Sequence, residues 1–85
     1  MLIVEVLSPS NEGYARGKKF ELYRTIPSFQ EYLVVHRDER YVEHYSKLDD
    51  GGWRLRDYKT GTVPVPRLQL EISLDDLYAD AAGLD

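Results

Sequence analysis

The sequence contains no cysteine, which excludes both a disulfide framework and any metal site built from thiolates. It also has no apolar run approaching the roughly 20 residues of a membrane span. Its first residues do not form a basic region followed by an apolar stretch, as a signal peptide would. Acidic residues outnumber basic ones by 15 to 11, and the net charge of −4 argues against a general nucleic-acid coating protein. These absences predict a soluble, cytoplasmic protein without a membrane partner.

The chain has 85 residues, enough for one small domain with a single thin core. A chain of this size buries only roughly 60–65% of the surface that it exposes when unfolded. We expect that domain to occupy residues 1–78, with residues 79–85 as a frayed tail. Four basic residues (Arg16, Lys18, Lys19 and Arg24) cluster between positions 16 and 24, and for Lys18 and Arg24 we expect a solvated helix face.

The order of elements indicates an α+β fold. An apolar strand over 2–7, a helix over 14–26 and a second apolar strand over 31–36 predict a right-handed β-α-β unit with parallel strands. Alternating residues over 40–48 and 53–58, joined by the turn sequence D-D-G-G, predict an antiparallel meander. A last strand over 68–72 and a capping box over 73–76 should close the chain with a short helix through Tyr78. We therefore expect a mixed sheet with one main helix.

Glu5 interrupts the apolar run over 2–7, which reads as a strand buried on both faces. A carboxylate there must be neutralised or must hold a cation, because burial removes its hydration. The helix over 14–26 offers a partner, since Lys19 falls on its inward stripe with Ala15, Leu22 and Ile26. The two residues are either a functional site or a structural ion pair, and a salt bridge would satisfy both.

Other polar residues carry weaker signals. Ser8 and Ser10 could contact phosphate, although turn formation and capping explain them more simply, and Ser10 or Asn11 is a plausible helix cap. Two histidines, His36 and His44, lack a third ligand and are better explained as strand residues. The D-D-G-G sequence at 49–52 lacks the spacing of a calcium loop. We expect core packing for Tyr23 and Trp53, and a helix first turn for Asp75 and Asp76.

Several stretches resemble the Uma family of restriction endonucleases, and the resemblance covers essentially the whole chain. They are V-E-V-L-S-P-S at 4–10, R-G-K-K-F-E-L-Y at 16–23, E-Y-L-V-V at 31–35, G-G-W at 51–53 and L-Q-L-E-I-S-L-D-D-L at 68–77. The match is to the C-terminal half of a family domain. The resemblance implies a PD-(D/E)XK nuclease-like core, a mixed sheet flanked by helices, and a site of one aspartate, one glutamate and one lysine.

Within that resemblance, Glu5 matches the family's glutamate and Lys19 matches its lysine, which lies on the following helix. The implied cofactor is Mg²⁺ or Mn²⁺, with Glu5 as its ligand, and the implied partner is DNA. The family's aspartate normally lies four residues before the glutamate, and that position is Met1 here. We therefore expect a truncated domain in which metal binding and catalysis are impaired.

Two functions follow as hypotheses. The first is a nuclease-like domain for metal-dependent DNA phosphodiester hydrolysis, inactive or dependent on another chain. The second is a non-catalytic oligomerisation or protein-interaction module, which would pair the exposed first-strand edge with a partner. Under both hypotheses we expect a homo-oligomer, because half a domain does not cover its own central strand.

Overall fold

A computed structural model describes residues 1–8 and 12–84 of the chain. The proposed cap residues Ser10 and Asn11 lie outside the described residues, as does the suggested phosphate contact of Ser10. The six strands are β1 (Leu2–Leu7), β2 (Glu31–His36), β3 (Val42–Lys47), β4 (Trp53–Tyr58), β5 (Thr62–Val65) and β6 (Leu70–Ser73). The helices are α1 (Glu12–Tyr14), a π-helix (Ala15–Lys19), α2 (Phe20–Tyr23), a 3₁₀-helix (Pro66–Leu68) and α3 (Leu74–Leu84).

The first four strands form one mixed sheet in the order β1-β2-β3-β4. β1 runs parallel to β2, with Glu5 opposite Val34, and the helical segment over 12–23 connects the two strands. β2, β3 and β4 are antiparallel neighbours, with Glu43 of β3 opposite Val34. The predicted β-α-β unit, the meander and the α+β class are therefore confirmed.

β1 is an edge strand among the described residues, because β2 is its one hydrogen-bonded neighbour there. Its side chains alternate as in any strand, so Ile3, Glu5 and Leu7 point to the helical side. Val4 and Val6 point the other way and are 48% and 54% exposed. The prediction that this strand is buried on both faces was wrong, since the apolar run does not reveal how many neighbouring elements cover it.

The helical side of the sheet has an aromatic core. Phe20 stacks on Tyr32 with ring centroids 5.2 Å apart, and meets Trp53 edge-on at the same distance. Phe29 and Tyr32 are fully buried, and Tyr23, Tyr45 and Trp53 pack against them. Aromatic side chains bury large apolar areas, so this cluster fixes the helical segment on the sheet. The expected core packing of Tyr23 and Trp53 is confirmed.

The inward stripe of the helical segment differs from the predicted one. Leu22 and Ile26 are exposed, and α2 ends at Tyr23 rather than at Ile26. Arg16, Lys19, Phe20 and Tyr23 contact the sheet instead. Their spacing of three, four and seven residues from Arg16 is that of one helix face, rotated by one position from the face we predicted. Lys19 lies on both stripes.

A separate hairpin of β5 and β6 covers the other side of the sheet. Val63 and Val65 pack there with Leu33, Val35 and Val42, and with Leu74 of α3. The last strand begins at Leu70 rather than at Leu68, because a 3₁₀-helix and a left-handed Gln69 (φ 55°) come first.

α3 opens as the capping box predicts, with the backbone N–H of Asp76 donating to Ser73 Oγ at 3.4 Å. It continues to Leu84, past the predicted end at Tyr78, and the alanines at 79, 81 and 82 favour this continuation. Over the described part of the chain, no helix is both long enough and apolar enough to cross a membrane.

Candidate functional site

Glu5 lies in the middle of β1, and its carboxylate faces the helical segment. Two donors from that segment meet the same oxygen: Lys19 Nζ lies 2.8 Å from Oε1, and Tyr23 Oη donates to Oε1 over 2.9 Å. The Glu5 side chain is 14% exposed and that of Lys19 is 32% exposed. The predicted pair therefore exists as a half-buried ion pair that solvent can still reach.

Lys19 and Tyr23 are four residues apart, so both side chains come from one face of the helical segment. The hydrogen bond from Lys19 to Glu5 is the main cause that raises the pKa of the Lys19 ammonium above its ordinary value. The separate hydrogen bond from Tyr23 to Glu5 is the main cause that raises the pKa of the Tyr23 hydroxyl group. Both groups are thus protonated at neutral pH. Lys19 can donate hydrogen bonds and stabilise negative charge there, but it cannot accept a proton.

A second cluster lies on the same side of the sheet and was missed by sequence reasoning. Arg16 donates to Glu43 Oε1 from Nε, at 3.0 Å, and from Nη2. His36 Nε2 lies 3.0 Å from both Arg16 Nη2 and Glu43 Oε1. Strand alternation predicted that Glu43 and His44 lie on different faces of β3. The predicted helix stripe did not include Arg16, whereas the rotated stripe places Arg16 on the inward face. Nothing in the sequence connects these three residues unless the register between β2 and β3 is known.

A third cluster lies on the opposite side of the sheet. Glu31 is buried, with His44 Nε2 at 2.6 Å from Oε1 and Ser46 Oγ donating to Oε2 over 3.0 Å. Arg67 also binds Glu31, and it donates to the backbone oxygens of Gln30 and Lys47. Every charge in this cluster has a partner, so its evident role is to hold the second hairpin on the sheet.

The other candidates stand as follows. His36 and His44 lie on opposite sides of the sheet, and no group of three His, Cys, Asp or Glu side chains that could hold a metal occurs among the described residues. Gly51 is left-handed (φ 90°) and the N–H of Gly52 donates to Asp50 Oδ1 over 2.8 Å, which makes the D-D-G-G sequence a turn. Asp75 lies in the first turn of α3 and forms an exposed ion pair with Arg40.

The donor set at Glu5 meets the minimum that a magnesium site requires. Mg²⁺ takes hard oxygen ligands and is commonly held by one or two carboxylates together with waters and substrate phosphate. Glu5 supplies one such carboxylate, and Lys19 supplies a cation beside it. Glu5 therefore offers one carboxylate to a divalent ion, and the described residues hold no group of three or more His, Cys, Asp or Glu side chains that could bind one.

Comparison with known proteins identifies a family for this chain. The model of the Uma2 family, described as "Putative restriction endonuclease", matches residues 1–78. The uncharacterized protein slr1290 of Synechocystis sp. is 39% identical over 82 residues, which cover 95% of this chain and 43% of that protein. A second Synechocystis protein, sll1609, is 48% identical over 56 residues, which cover 66% of this chain and 32% of that protein. The chain thus spans less than half the length of these two relatives.

One solved structure has the same fold. The crystal structure of a putative nuclease belonging to DUF820 from Anabaena variabilis superposes with a TM-score of 0.65 and 23% sequence identity. The superposition covers 94% of this chain and 44% of that one. Together with the family match over most of the chain, this shows that the protein belongs to the Uma2 family of restriction-endonuclease-like proteins.

Proposed function

We propose that this chain carries part of the active site of a metal-dependent DNA endonuclease. The observation that supports it most is the approach of Lys19 Nζ to 2.8 Å from Glu5 Oε1 on the partly open face of an edge strand. The partial exposure of both side chains leaves their charges accessible to an ion or a phosphate from solvent. The family match and the nuclease fold support DNA as the substrate class.

In this proposal Glu5 is a ligand of Mg²⁺ or Mn²⁺, and a bound ion supplies polarisation of the scissile phosphate and a lower pKa of the attacking water. The water oxygen would form a new bond to phosphorus while the bond to the leaving sugar oxygen breaks, the water would lose its proton to solvent, and the leaving oxygen would take a proton from solvent. Lys19, as an ammonium group, donates hydrogen bonds to the phosphate oxygens and stabilises the charge that grows there. Tyr23 holds the carboxylate of Glu5 in position through its hydroxyl group.

We further propose that a single copy of the 85-residue chain binds metal weakly and cleaves DNA slowly. Its one carboxylate at the site gives a divalent ion few protein ligands, and the residue four positions before Glu5 is Met1. Full activity then requires a second carboxylate, which another copy or a further segment of the protein would contribute.

The first test is isothermal titration of Mn²⁺ and Mg²⁺ into the wild-type chain and into Glu5→Gln, which keeps the size and removes the charge. We expect manganese binding that weakens by more than roughly 100-fold in the variant, the upper limit for loss of an outer-shell group. Glu21→Gln is the matched control, because Glu21 is an exposed carboxylate on α2 and the same charge is removed there.

Lys19→Met then separates metal binding from catalysis. Mn²⁺-dependent cleavage of a supercoiled plasmid should fall by about 10²–10³-fold, as when one preorganised donor is removed. The exposed Lys18→Met serves as the control and should keep the wild-type rate. Wild-type protein that shows no heat of binding with either metal would overturn the proposal.

The exposed β1 edge favours a second candidate function, a non-catalytic interaction module that forms a homo-oligomer. Val4 and Val6 form an apolar outer surface on a strand that has one described neighbour, and such edges pair readily with other strands. This candidate predicts no response to metal in either the wild type or Glu5→Gln, so the same titration distinguishes the two functions.

We also propose that residues 1–78 act as one domain and that the protein is cytoplasmic.

A further inference from the structure

The cluster of Arg16, His36 and Glu43 lies beside the Glu5 site, and the function proposed above does not use it. Glu43 is a buried carboxylate with a side chain that is 7% exposed, so its charge must be matched within the protein. Arg16 matches it with hydrogen bonds from Nε and Nη2. Truncating one member of such a pair typically destabilises a protein, which makes this a firm attachment of the helical segment to β3.

The ion pairs that Arg16 and Lys19 form with the sheet both come from the π-helical turn. Arg16 and Lys19 belong to the π-helix over Ala15–Lys19, and they bind Glu43 and Glu5 respectively. In the sheet, Glu5, Val34 and Glu43 occupy one cross-strand row. The π-helical turn thus spans the row from β3 to β1, with one cation on β3 and one on β1.

We propose that Glu43, acting through Arg16, is a positioning residue that keeps the π-helical turn in place and thereby sets Lys19 on Glu5. Single π-helical turns are rare and occur frequently at functional sites, because the extra residue must be held by its surroundings. A return to α-helical geometry changes the register by one residue, which corresponds to about 100° of rotation. Phe20 and Tyr23 are fixed in the aromatic core, so this rotation would fall on Arg16 and Lys19.

His36 completes the cluster from β2. With its proton on Nδ1, it accepts a hydrogen bond from Arg16 Nη2 at Nε2, and Nδ1 lies 3.8 Å from the exposed Glu39. With a proton on Nε2 it would donate to Glu43 and face the Arg16 guanidinium. Either tautomer of His36 therefore bonds one member of the Arg16–Glu43 pair, and Tyr41, whose ring centroid is 4.7 Å from that of His36, covers the imidazole.

The catalytic consequence rests on the proposed function, but the positioning can be measured without metal or DNA. Loss of the Glu43 charge would by itself lower the Lys19 pKa, whereas loss of the Arg16 charge would by itself raise it. A fall of the Lys19 pKa in Arg16→Met therefore reports movement of Lys19 away from Glu5, and not the loss of a nearby charge. Lysine side-chain NMR signals, followed from pH 8 to pH 12, give this pKa directly.

We expect the raised pKa of Lys19 to fall toward the ordinary lysine value of about 10.4 in Glu43→Met, which has a similar volume and no acceptor. Arg16→Met should give the same change, and the double variant no more than either single one, because the two residues act as a unit. Glu43→Gln keeps an oxygen acceptor and should retain more of the shift than Glu43→Met. Glu39→Gln, which removes a charge from the same cluster without touching Arg16, should leave Lys19 unchanged.

A folded Glu43→Met protein in which Lys19 keeps its wild-type pKa would overturn the inference. Near-ultraviolet circular dichroism of the aromatic core checks folding, and if Glu43→Met does not fold, the partly exposed Arg16→Met decides alone. Absence of metal binding in the wild type would overturn the proposed nuclease function and leave this result unaffected, so the two failures are distinguishable.

Discussion

At the scale of single residues, the protein places one carboxylate between an ammonium and a phenol. Lys19 and Tyr23 both lie at hydrogen-bond distance from Glu5 Oε1, and both donors are protonated at neutral pH. Hydrogen bonds to a charged acceptor are stronger than neutral ones, so Glu5 has a defined orientation despite its partial exposure. The carboxylate of Glu5 is therefore held by two donors from one face of the helical segment.

The same pair predicts a stability change in alkaline solution. Because Glu5 raises the pKa of Lys19 in the folded state, the pair stabilises the protein fully below the unfolded-state pKa of about 10.4. That contribution is lost as the pH rises through the folded-state pKa. Urea unfolding at pH 9, 10, 11 and 12 should show a steeper decline for the wild type than for Lys19→Met. Lys18→Met should follow the wild type, and equal slopes for wild type and Lys19→Met would contradict the prediction.

At the scale of elements, polar side chains fix how each helix sits on the sheet. The helical segment over 12–23 is held by Arg16, Lys19 and Tyr23. α3 is held by Tyr78, which donates to the backbone oxygens of His36 and Tyr41 over 2.7 and 2.9 Å and accepts from the N–H of Tyr41 over 3.1 Å. Burial raises the pKa of Tyr78, in keeping with its position under the turn between β2 and β3. Each element therefore has a directional attachment besides its apolar contacts.

Tyr78→Phe tests the second attachment. The variant removes the hydroxyl group and leaves three partly buried backbone groups with fewer partners, so the free energy of unfolding should fall by about 1–3 kcal/mol. Chemical denaturation followed by tryptophan fluorescence measures this change. Tyr14→Phe is the control, because Tyr14 is exposed and its loss should change stability by no more than about 0.5 kcal/mol. A Tyr78→Phe protein as stable as the wild type would show that the hydrogen bonds are replaced by water.

At the scale of the whole molecule, the four-stranded sheet has a different cover on each side. The helical segment and the aromatic cluster cover one side, and the β5–β6 hairpin with α3 covers the other. Arg67 fastens that hairpin by reaching Glu31, Gln30 and Lys47. The β1 end of the sheet has neither cover on its outer surface, where Val4 and Val6 are exposed. The candidate site lies at this end, so a strand that pairs with the β1 edge will lie next to Glu5, whereas a cover over Val4 and Val6 will lie on the opposite face of β1.

The proposed homo-oligomer can be tested at this end of the molecule. Static light scattering at micromolar concentration should give at least twice the mass of one chain for the wild type. Val4→Lys should shift the protein toward the monomer, because a charge on an exposed edge strand opposes pairing. Leu22→Lys is the matched control, since Leu22 is equally exposed at 48% but lies on the helical segment. A monomeric wild type would contradict the proposal.

The sequence alone was sufficient for the local elements and for the main candidate pair. Alternation and turn residues predicted β1, β2 and β4 with their observed bounds, since these signals lie within a few neighbouring residues. Glu5 and Lys19 were found because each breaks an apolar pattern, and a buried charge requires a partner wherever it lies. The family resemblance pointed to the same two residues, and the family membership is confirmed.

Only the tertiary structure decided which side chains share a face and which strand lies at an edge. Three features depend on the π-helical turn and on strand register. They are the one-residue rotation of the helix stripe, the edge position of β1 and the cluster of Arg16, His36 and Glu43. Both are fixed by contacts between residues far apart in the chain, such as Phe20 with Tyr32 and Trp53. A local pattern fixes the period of an element, but its phase and its neighbours are set by the packing of the whole core.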